Sequence, residues 1–234
     1  RFVWHQLLDN SREIVGEDNQ QGSLLGPAFD ETRTRQFLDS IGATYRHFAE
    51  EELIEEVAEL IATENVVGHM AGRMEFGPRA LGNRSILASP LQTGITDAIN
   101  QQVKFREHWR PYSPSILDSA AEQLLPEQFR DEFMCLSYPV SGNWQEQYPV
   151  TVYRDGTMRA QIVRRQSNPD FHKLLSAFQG LTGHGLLLNA SLSRPGEALV
   201  CTPEDALNMF LGTDLNYMIM EDVLVTKRES SPKW

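Results

Sequence analysis

Residues 72–85 read Gly-Arg-Met-Glu-Phe-Gly-Pro-Arg-Ala-Leu-Gly-Asn-Arg-Ser. Arg73, Arg79 and Arg84 alternate here with Gly72, Gly77 and Gly82. A guanidinium is a permanent planar fork of donors matched to carboxylate and phosphate oxygens. Glycine lets the backbone turn, or approach a ligand, where a Cβ would clash. That combination is the chemistry of an oxyanion grip. Lys104, Arg106 and Arg110 extend the basic set, and from residue 72 to 110 these cations face only Glu75, Asp97 and Glu107. Because the whole chain carries a formal net charge of -11, the local excess is informative. Charge-assisted, bidentate contacts are the usual way to hold phosphate. Any one of these arginines, taken singly, is better read as a surface salt bridge to the acidic stretch at 50–62. Taken as a cluster among glycines and prolines, they read as a binding site.

Other chemistries find less support. Gly77 is followed by Pro78 and Arg79, so the loop is not a Walker phosphate loop, and no dinucleotide fingerprint occurs. No two histidines share a metal-ligand spacing, and no nucleophile elbow can be read. Metal binding by the chain's own side chains is therefore not expected. Asn189 and Ser191 end an apolar run, where polar side chains line a crevice or simply cap a turn, two readings of equal weight. Arg159 lies in a strand-like stretch; facing inward, it needs a partner or an anion. His69, beside the loop, reads as a packing or hydrogen-bonding histidine, and His184 as a more accessible one. Cys135 and Cys201 are far apart, form no disulfide framework, and read as small buried hydrophobes in a reducing cytoplasm.

Hydrophobic pattern predicts the helices and strands that carry these residues. Leu53, Val57, Leu60 and Ile61 give one apolar stripe and predict a helix over 50–62. A short buried strand from Val66 leads into the loop. A second helix over 96–103 delivers Lys104, Arg106 and Arg110, and Pro111 and Pro114 then open an extended segment at 115–117. Residues 149–163 predict two strands joined by the Asp155-Gly156 turn. A helix over 169–180, a buried strand over 186–188, a helix opened by Thr202 and Pro203, and strands at 217–220 and 223–225 complete the chain. Residues 1–10 look like the tail of an amphipathic helix, and 11–35 like a linker. Helices and strands interleave, so the class is α/β or α+β.

At 234 residues, 41% hydrophobic and 23% charged, the chain can bury a sizeable core. Its acidity argues against a nucleic-acid partner. The absence of a long apolar run argues against a membrane partner, and a cytoplasmic location is expected.

The loop at 72–85 resembles the hallmark of the NodU/CmcH carbamoyltransferase family. So do Asn100-x-x-Val103-Lys104-x-Arg106-Glu107-x-x-Arg110-Pro111, Arg159-x-Gln161, Leu188-Asn189-x-Ser191, and Cys201-Thr202-Pro203-x-Asp205-Ala206. The match runs over about residues 20–228 in the family's order, and its first motif is highly specific. The resemblance implies a two-part enzyme. Its N-terminal part resembles a Kae1-like domain of the actin-like ATPase superfamily, which binds Fe²⁺ or another metal and hands the carbamoyl group to an acceptor small molecule. Its C-terminal part is YrdC-like, a twisted mixed sheet with flanking helices, and makes carbamoyl-adenylate from carbamoyl phosphate and ATP.

This chain resembles the C-terminal part, with residues 26–234 as that domain and 1–25 as a remnant of the junction. Carried over by motif, Arg79, Lys104 and Arg110 take the catalytic roles. Arg73, Arg84, Arg159, Asn189 and Ser191 bind carbamoyl phosphate and ATP, with Mg²⁺ carried on the nucleotide. Self-association as a homodimer is left open. Two departures stand out: the family's Asn-Thr-Ser-Phe-Asn is here Asn189-Ala190-Ser191-Leu192-Ser193, and its Trp-Phe-Gln run before Gly72 is His69-Met70-Ala71. The charged residues are kept, so anion binding survives both. Two other functions are weighed against this one. One is a non-catalytic nucleotide- or anion-binding module; the other is a YrdC-like domain serving threonylcarbamoyl chemistry on RNA. The acidity and the arginine-glycine motif disfavour the RNA reading.

Overall fold

Successive strand residues point to opposite faces of a sheet, and here that alternation divides the apolar side chains into two cores. Met218 and Met220 join one cluster while Ile219 joins the other; Val223 and Val225 part from Leu224 in the same way, and Ile86 and Ala88 from Leu87. Both faces of such a sheet require helices over them. The computed structural model, which describes residues 2–11, 20–92, 94–125 and 129–227, has that cover.

The strands are β1 (Tyr45–His47), β2 (Val67–Met70), β3 (Arg84–Ala88), β4 (Ser113–Leu117), β5 (Tyr138–Pro139), β6 (Thr157–Met158), β7 (Gln161–Val163), β8 (Leu186–Ser191), β9 (Tyr217–Met220) and β10 (Val223–Thr226). Eight of them form one mixed sheet in the order β1-β10-β9-β2-β3-β8-β4-β7. The β2/β9 and β4/β7 pairs are parallel and the remaining neighbours antiparallel. The helices are α1 (Glu31–Ser40), α2 (Glu50–Ala62), α3 (Ile95–Ala98), α4 (Asp118–Leu124), α5 (Gly142–Gln147), α6 (Pro169–Thr182) and α7 (Pro203–Leu211). Helices α2 and α6 pack together over the face that carries Leu87, Leu187 and Ile219. Helices α1 and α7 contribute Leu38, Leu207 and Phe210 to the opposite face, beside Ile86, Leu188 and Met218. The expected mixed α/β sheet with flanking helices is the architecture found.

Most elements sit where the pattern puts them, including α2, α6, β8, β9 and β10. The helix over 96–103 exists as α3 followed by a π-helical turn, Ile99–Val103. Three expectations need correction. First, α1 lies partly inside the segment read as linker; Asp30 caps it by accepting from the Arg33 N–H at 2.7 Å, but it buries only Thr34 and Leu38, too few positions for an apolar stripe. Residues 12–19 of that segment lie outside the described residues.

Second, the Asp155-Gly156 turn forms, with the Gly156 N–H reaching the Tyr153 carbonyl at 3.0 Å, but it does not join two paired strands. Residues Pro149–Thr151 form a 3₁₀ turn, β6 pairs with β5, and β7 pairs with β4. Third, Cys135 is exposed and Cys201 only half-buried, so Cys135 is not a core hydrophobe.

The order of strands places the basic segments together. Register pairs Met70 with Arg84, so residues 71–83 are the connection of a β2–β3 hairpin at the centre of the sheet. Ser85 faces Ser191 and Asn189 faces Ser113, which brings the end of β8 and the start of β4 to that same edge.

Helix α7 gives a direct check on the start signal read in the sequence. Thr202 Oγ1 accepts from the Asp205 N–H at 3.2 Å, and the Asp205 carboxylate accepts from the Thr202 N–H at 3.0 Å. Thr202→Ala is expected to lower stability by about 1 kcal/mol in urea unfolding; an unchanged midpoint would show that this cap contributes nothing.

Candidate functional site

The 71–83 connection is shaped around one carboxylate. Glu75 is 2% exposed, and its Oε1 accepts the backbone N–H groups of Leu81 at 2.7 Å, Asn83 at 2.7 Å and Arg84 at 3.2 Å. Arg84 is 0% exposed and donates to the carbonyls of Ala71 (3.1 Å), Gly72 (3.2 Å) and Asn83 (2.9 Å). Burial pulls the Arg84 pKa below its ordinary value, while the negative charges of Glu75 and Glu221 oppose that shift. Glu221 holds the start of the loop by accepting the Gly72 N–H at 3.0 Å, and burial raises its carboxyl pKa to about 7.

His69 closes the other side, its Nδ1 hydrogen-bonded to the Gly82 carbonyl at 2.7 Å. Burial holds its pKa down at about 4, so the ring is neutral and Nδ1 carries the donated proton. This is the hydrogen-bonding role read for His69. At Gly82 only glycine serves: φ is +117°, and a Cβ would lie 2.3 Å from Cδ1 of Phe171.

Beneath the loop, the edges of β4, β7 and β8 carry a buried polar layer. Asn189 Nδ2 donates to Ser115 Oγ at 2.9 Å and to the Ala80 carbonyl at 3.2 Å. Gln161 accepts from Ser115 Oγ at 2.7 Å and donates to the Leu81 carbonyl at 2.9 Å. These side chains tie residues 80–81 to the sheet. Asn189 Oδ1 is closed from water and has no partner. Asn168 adds a link from α6, donating to Asn83 Oδ1 at 2.6 Å.

The third wall is the segment after the π turn. Lys104 is 6% exposed, and its ammonium donates to the carbonyls of Ser191 (2.9 Å) and Ser193 (2.6 Å) and to their hydroxyls at 3.2 and 3.1 Å. No carboxylate among the described residues pairs with it. Burial and, secondarily, the neighbouring Arg106 charge lower its pKa to about 8. Asn100 organises the stretch from Arg106 to Tyr112: its Nδ2 donates to the His108 and Arg110 carbonyls, each at 3.0 Å. Its Oδ1 accepts from Arg106 Nε at 2.7 Å and Tyr112 Oη at 2.6 Å.

These walls enclose a groove of about 370 Å³, within the range of small-molecule sites, roughly 300–1,000 Å³. Arg79, Arg106, Arg110, Asn189 and Ser191 line it, together with Trp109, Met134 and Tyr153. None of the described residues that line it is an aspartate or glutamate. Arg79 is exposed and, among the described residues, makes no ion pair or hydrogen bond. Arg110 is paired with Glu107 at 3.0 Å on the open surface. The acidic helix α2 does not neutralise the cluster: Glu50 pairs with Lys173, and Glu56 with Arg46 at 2.8 Å.

Of the residues singled out in the sequence, Arg79, Arg110, Asn189 and Ser191 thus meet at one groove, with Lys104 directly behind Ser191. Three lie elsewhere. Arg84 commits its donors to backbone carbonyls. Arg73 donates to the carbonyls of Leu24 at 3.0 Å and Leu25 at 3.1 Å. Arg159 is half-buried between β6 and β7, outside the groove lining, with Nε closed from water and unpartnered. His184 is half-buried and bonds Tyr148 Oη at 2.7 Å. Glu75, Asn100 and Ser115 build the site without having been legible as site-builders. Glu75 leaves a signal as the lone carboxylate inside the arginine-glycine segment, and Asn100 as the first residue of the motif that ends at Arg110-Pro111. Among the described residues, no group of three or more histidines, cysteines, aspartates or glutamates stands close enough to hold a metal.

A mixed sheet under helices carries at one edge a groove lined by three arginines, with no aspartate or glutamate among its described lining residues. Residues 58–227 match the family described as Carbamoyltransferase C-terminus, and the chain belongs to that family. An uncharacterised protein of Synechocystis is 35% identical over 99% of this chain, and nodulation protein NolNO of Sinorhizobium fredii 39% identical over 78%. The chain spans only 42% and 27% of the lengths of these two relatives. Among solved structures, T. kodakarensis HypF aligns over 79% of this chain and 23% of its own, with a TM-score of 0.51 and 13% identity, a likeness of fold alone. No helix among the described residues is long and apolar enough to cross a membrane.

Glu75→Ala would strand three buried N–H groups, each at a cost of about 1–3 kcal/mol. The variant is expected to lose at least about 3 kcal/mol of stability and to exchange the Leu81, Asn83 and Arg84 amide protons faster. Wild-type exchange at those amides would show that Glu75 does not shape the loop.

Proposed function

We propose that this chain binds carbamoyl phosphate and ATP in the groove and makes carbamoyl-adenylate, as one part of a carbamoyltransferase acting on a small-molecule hydroxyl. The observation that carries this is the groove's charge: Arg79, Arg106 and Arg110 line it, Lys104 backs it, and no carboxylate is among its described lining residues. Membership of the carbamoyltransferase family supports the choice among phosphate ligands. In the proposed reaction an oxygen of the carbamoyl group attacks the α-phosphorus of ATP. That P–O bond forms as the bond to the β-phosphate's bridging oxygen breaks, and pyrophosphate leaves. The attacking oxygen is that of carbamate, released beforehand when water takes the phosphoryl group of carbamoyl phosphate as orthophosphate and the P–O bond to the carbamoyl group breaks.

Two crowded polyanions repel each other, and the arginines supply the fixed positive charge that holds them together and in line. Arg79, with no internal partner to give up, is the best placed to grip phosphate. Lys104 holds Ser191 and Ser193 from behind and adds charge without adding bulk. The groove's described residues offer no carboxylate to a metal, so Mg²⁺ is expected to arrive on the triphosphate. Transfer of the carbamoyl group to the acceptor is assigned to the rest of the longer protein.

The test is to incubate the chain with carbamoyl phosphate, ATP and Mg²⁺ and to assay pyrophosphate and an AMP-linked product. Release of pyrophosphate only when both substrates are present is expected; binding without turnover would make the chain a nucleotide-binding module. Arg79→Ala is expected to weaken carbamoyl phosphate binding about tenfold or more, the worth of one charge-assisted contact. Unchanged affinity would remove Arg79 from the site. Affinity for inorganic phosphate should also fall as pH rises through about 8, where Lys104 gives up its proton. Lys104→Met should flatten that profile; an unaltered profile would clear Lys104 of an electrostatic role.

A further inference from the structure

Trp109 is 60% exposed at the groove, between two of its arginines. An indole left in water forgoes the burial that normally accompanies so large an apolar side chain. Here the backbone gives it little choice. Asn100 Nδ2 grips the carbonyls of His108 and Arg110, the residues on either side of Trp109. The Arg110 N–H also closes a turn onto the Glu107 carbonyl at 3.3 Å. The chain is thus clamped on both flanks of the tryptophan, and the ring stands out from a fixed turn.

Of the groove's two other aromatic residues, Tyr112 is already engaged, carrying the Arg106 guanidinium 4.8 Å from its ring centroid, and Tyr153 offers a smaller ring than the indole. No ring or guanidinium of the described residues stacks on Trp109. Met134 and Tyr153 line the same cavity and add apolar surface to it. A free, rigidly held π face therefore adjoins a set of phosphate-binding cations. Carbamoyl phosphate has no planar apolar part that would need such a face. A nucleotide has a planar base and phosphates joined by a short sugar, which fits the juxtaposition.

We infer that Trp109 is the stacking platform for the nucleotide's base, and that it sets the groove's preference for a nucleoside triphosphate over a bare polyphosphate. The inference rests on the reading of the groove as a phosphate site. It goes further in dividing that groove into a phosphate end at the arginines and a base end at Trp109. Stacking of a base on an aromatic side chain is worth about 1–3 kcal/mol, so ATP should bind about tenfold tighter than inorganic tripolyphosphate.

The experiment titrates ATP and inorganic tripolyphosphate into the wild-type chain, Trp109→Ala and Trp109→Phe by calorimetry. Trp109→Ala is expected to lose about tenfold in ATP affinity and to keep tripolyphosphate affinity, so that the two ligands become equal. Trp109→Phe, which retains a π face, should keep most of the preference, and the ATP-induced quenching of indole emission should diminish in it. A wild-type preference for ATP that survives in Trp109→Ala would overturn the base assignment and leave the phosphate site intact. Failure of the wild type to bind either ligand would overturn both. Because the indole is on the surface, the tripolyphosphate arm doubles as the check that each variant is folded.

Discussion

One buried carboxylate oxygen bears the geometry of the groove. Glu75 Oε1 gathers three backbone N–H groups from residues 81–84, and beside it Arg84 gathers the carbonyls of 71, 72 and 83. The two side chains, one acceptor-only and one donor-only, satisfy the polar backbone of a long hairpin connection that no neighbouring strand can pair. Neither is a direct ion-pair partner of the other; each is held through backbone. The connection is thereby a fixed wall, with Pro78, Arg79 and Ala80 turned to the groove. Taking either charge away would leave the other buried without compensation, which is the costly half of any buried pair.

The second constraint is electrostatic. A chain of net charge -11 places three arginines in one cavity whose described lining holds no acidic side chain. Lys104 shows what that costs: an ammonium held only by serine carbonyls and hydroxyls, its pKa lowered by burial to about 8. A site with positive charge in surplus is unfavourable when empty and favourable once an anion enters, since the incoming charge relieves both desolvation and mutual repulsion. Ser193 stands where the family pattern has an amide, and its carbonyl makes the shortest of the lysine's four contacts.

Much of this was legible in the sequence. The stripes of α2 and α6, the Thr202 cap and the three-residue apolar run of β8 are local patterns with one good solution each. The meeting of Arg79, Lys104, Arg110, Asn189 and Ser191 came from the family resemblance and not from spacing, and the same resemblance also put Arg73, Arg84 and Arg159 in the site, where the groove lining does not include them. The hidden part depends on contacts far apart in the chain. Arg84 looks no different from Arg79 in a string of letters; only the pairing of β2 with β3, which faces it to Met70, makes it a scaffold residue. The strands expected at 149–163 failed because β6 and β7 found partners elsewhere, in β5 and β4. Helix α1 and edge strand β1 escaped because they bury too little apolar surface to show a period. Glu75 is visible in the sequence only as a counter-charge, whereas its work is to bind backbone.

The most direct test of the groove as the substrate site is a crystal structure of the chain grown with carbamoyl phosphate and a non-hydrolysable ATP analogue. The expected result places phosphate oxygens within hydrogen-bonding distance of Arg79 and Arg110 and the base against Trp109. A second cavity, of about 470 Å³, is lined by Asp118 and Glu122 of α4 together with Arg130 and Arg164. Density for either ligand there, with the arginine groove empty, would contradict the account.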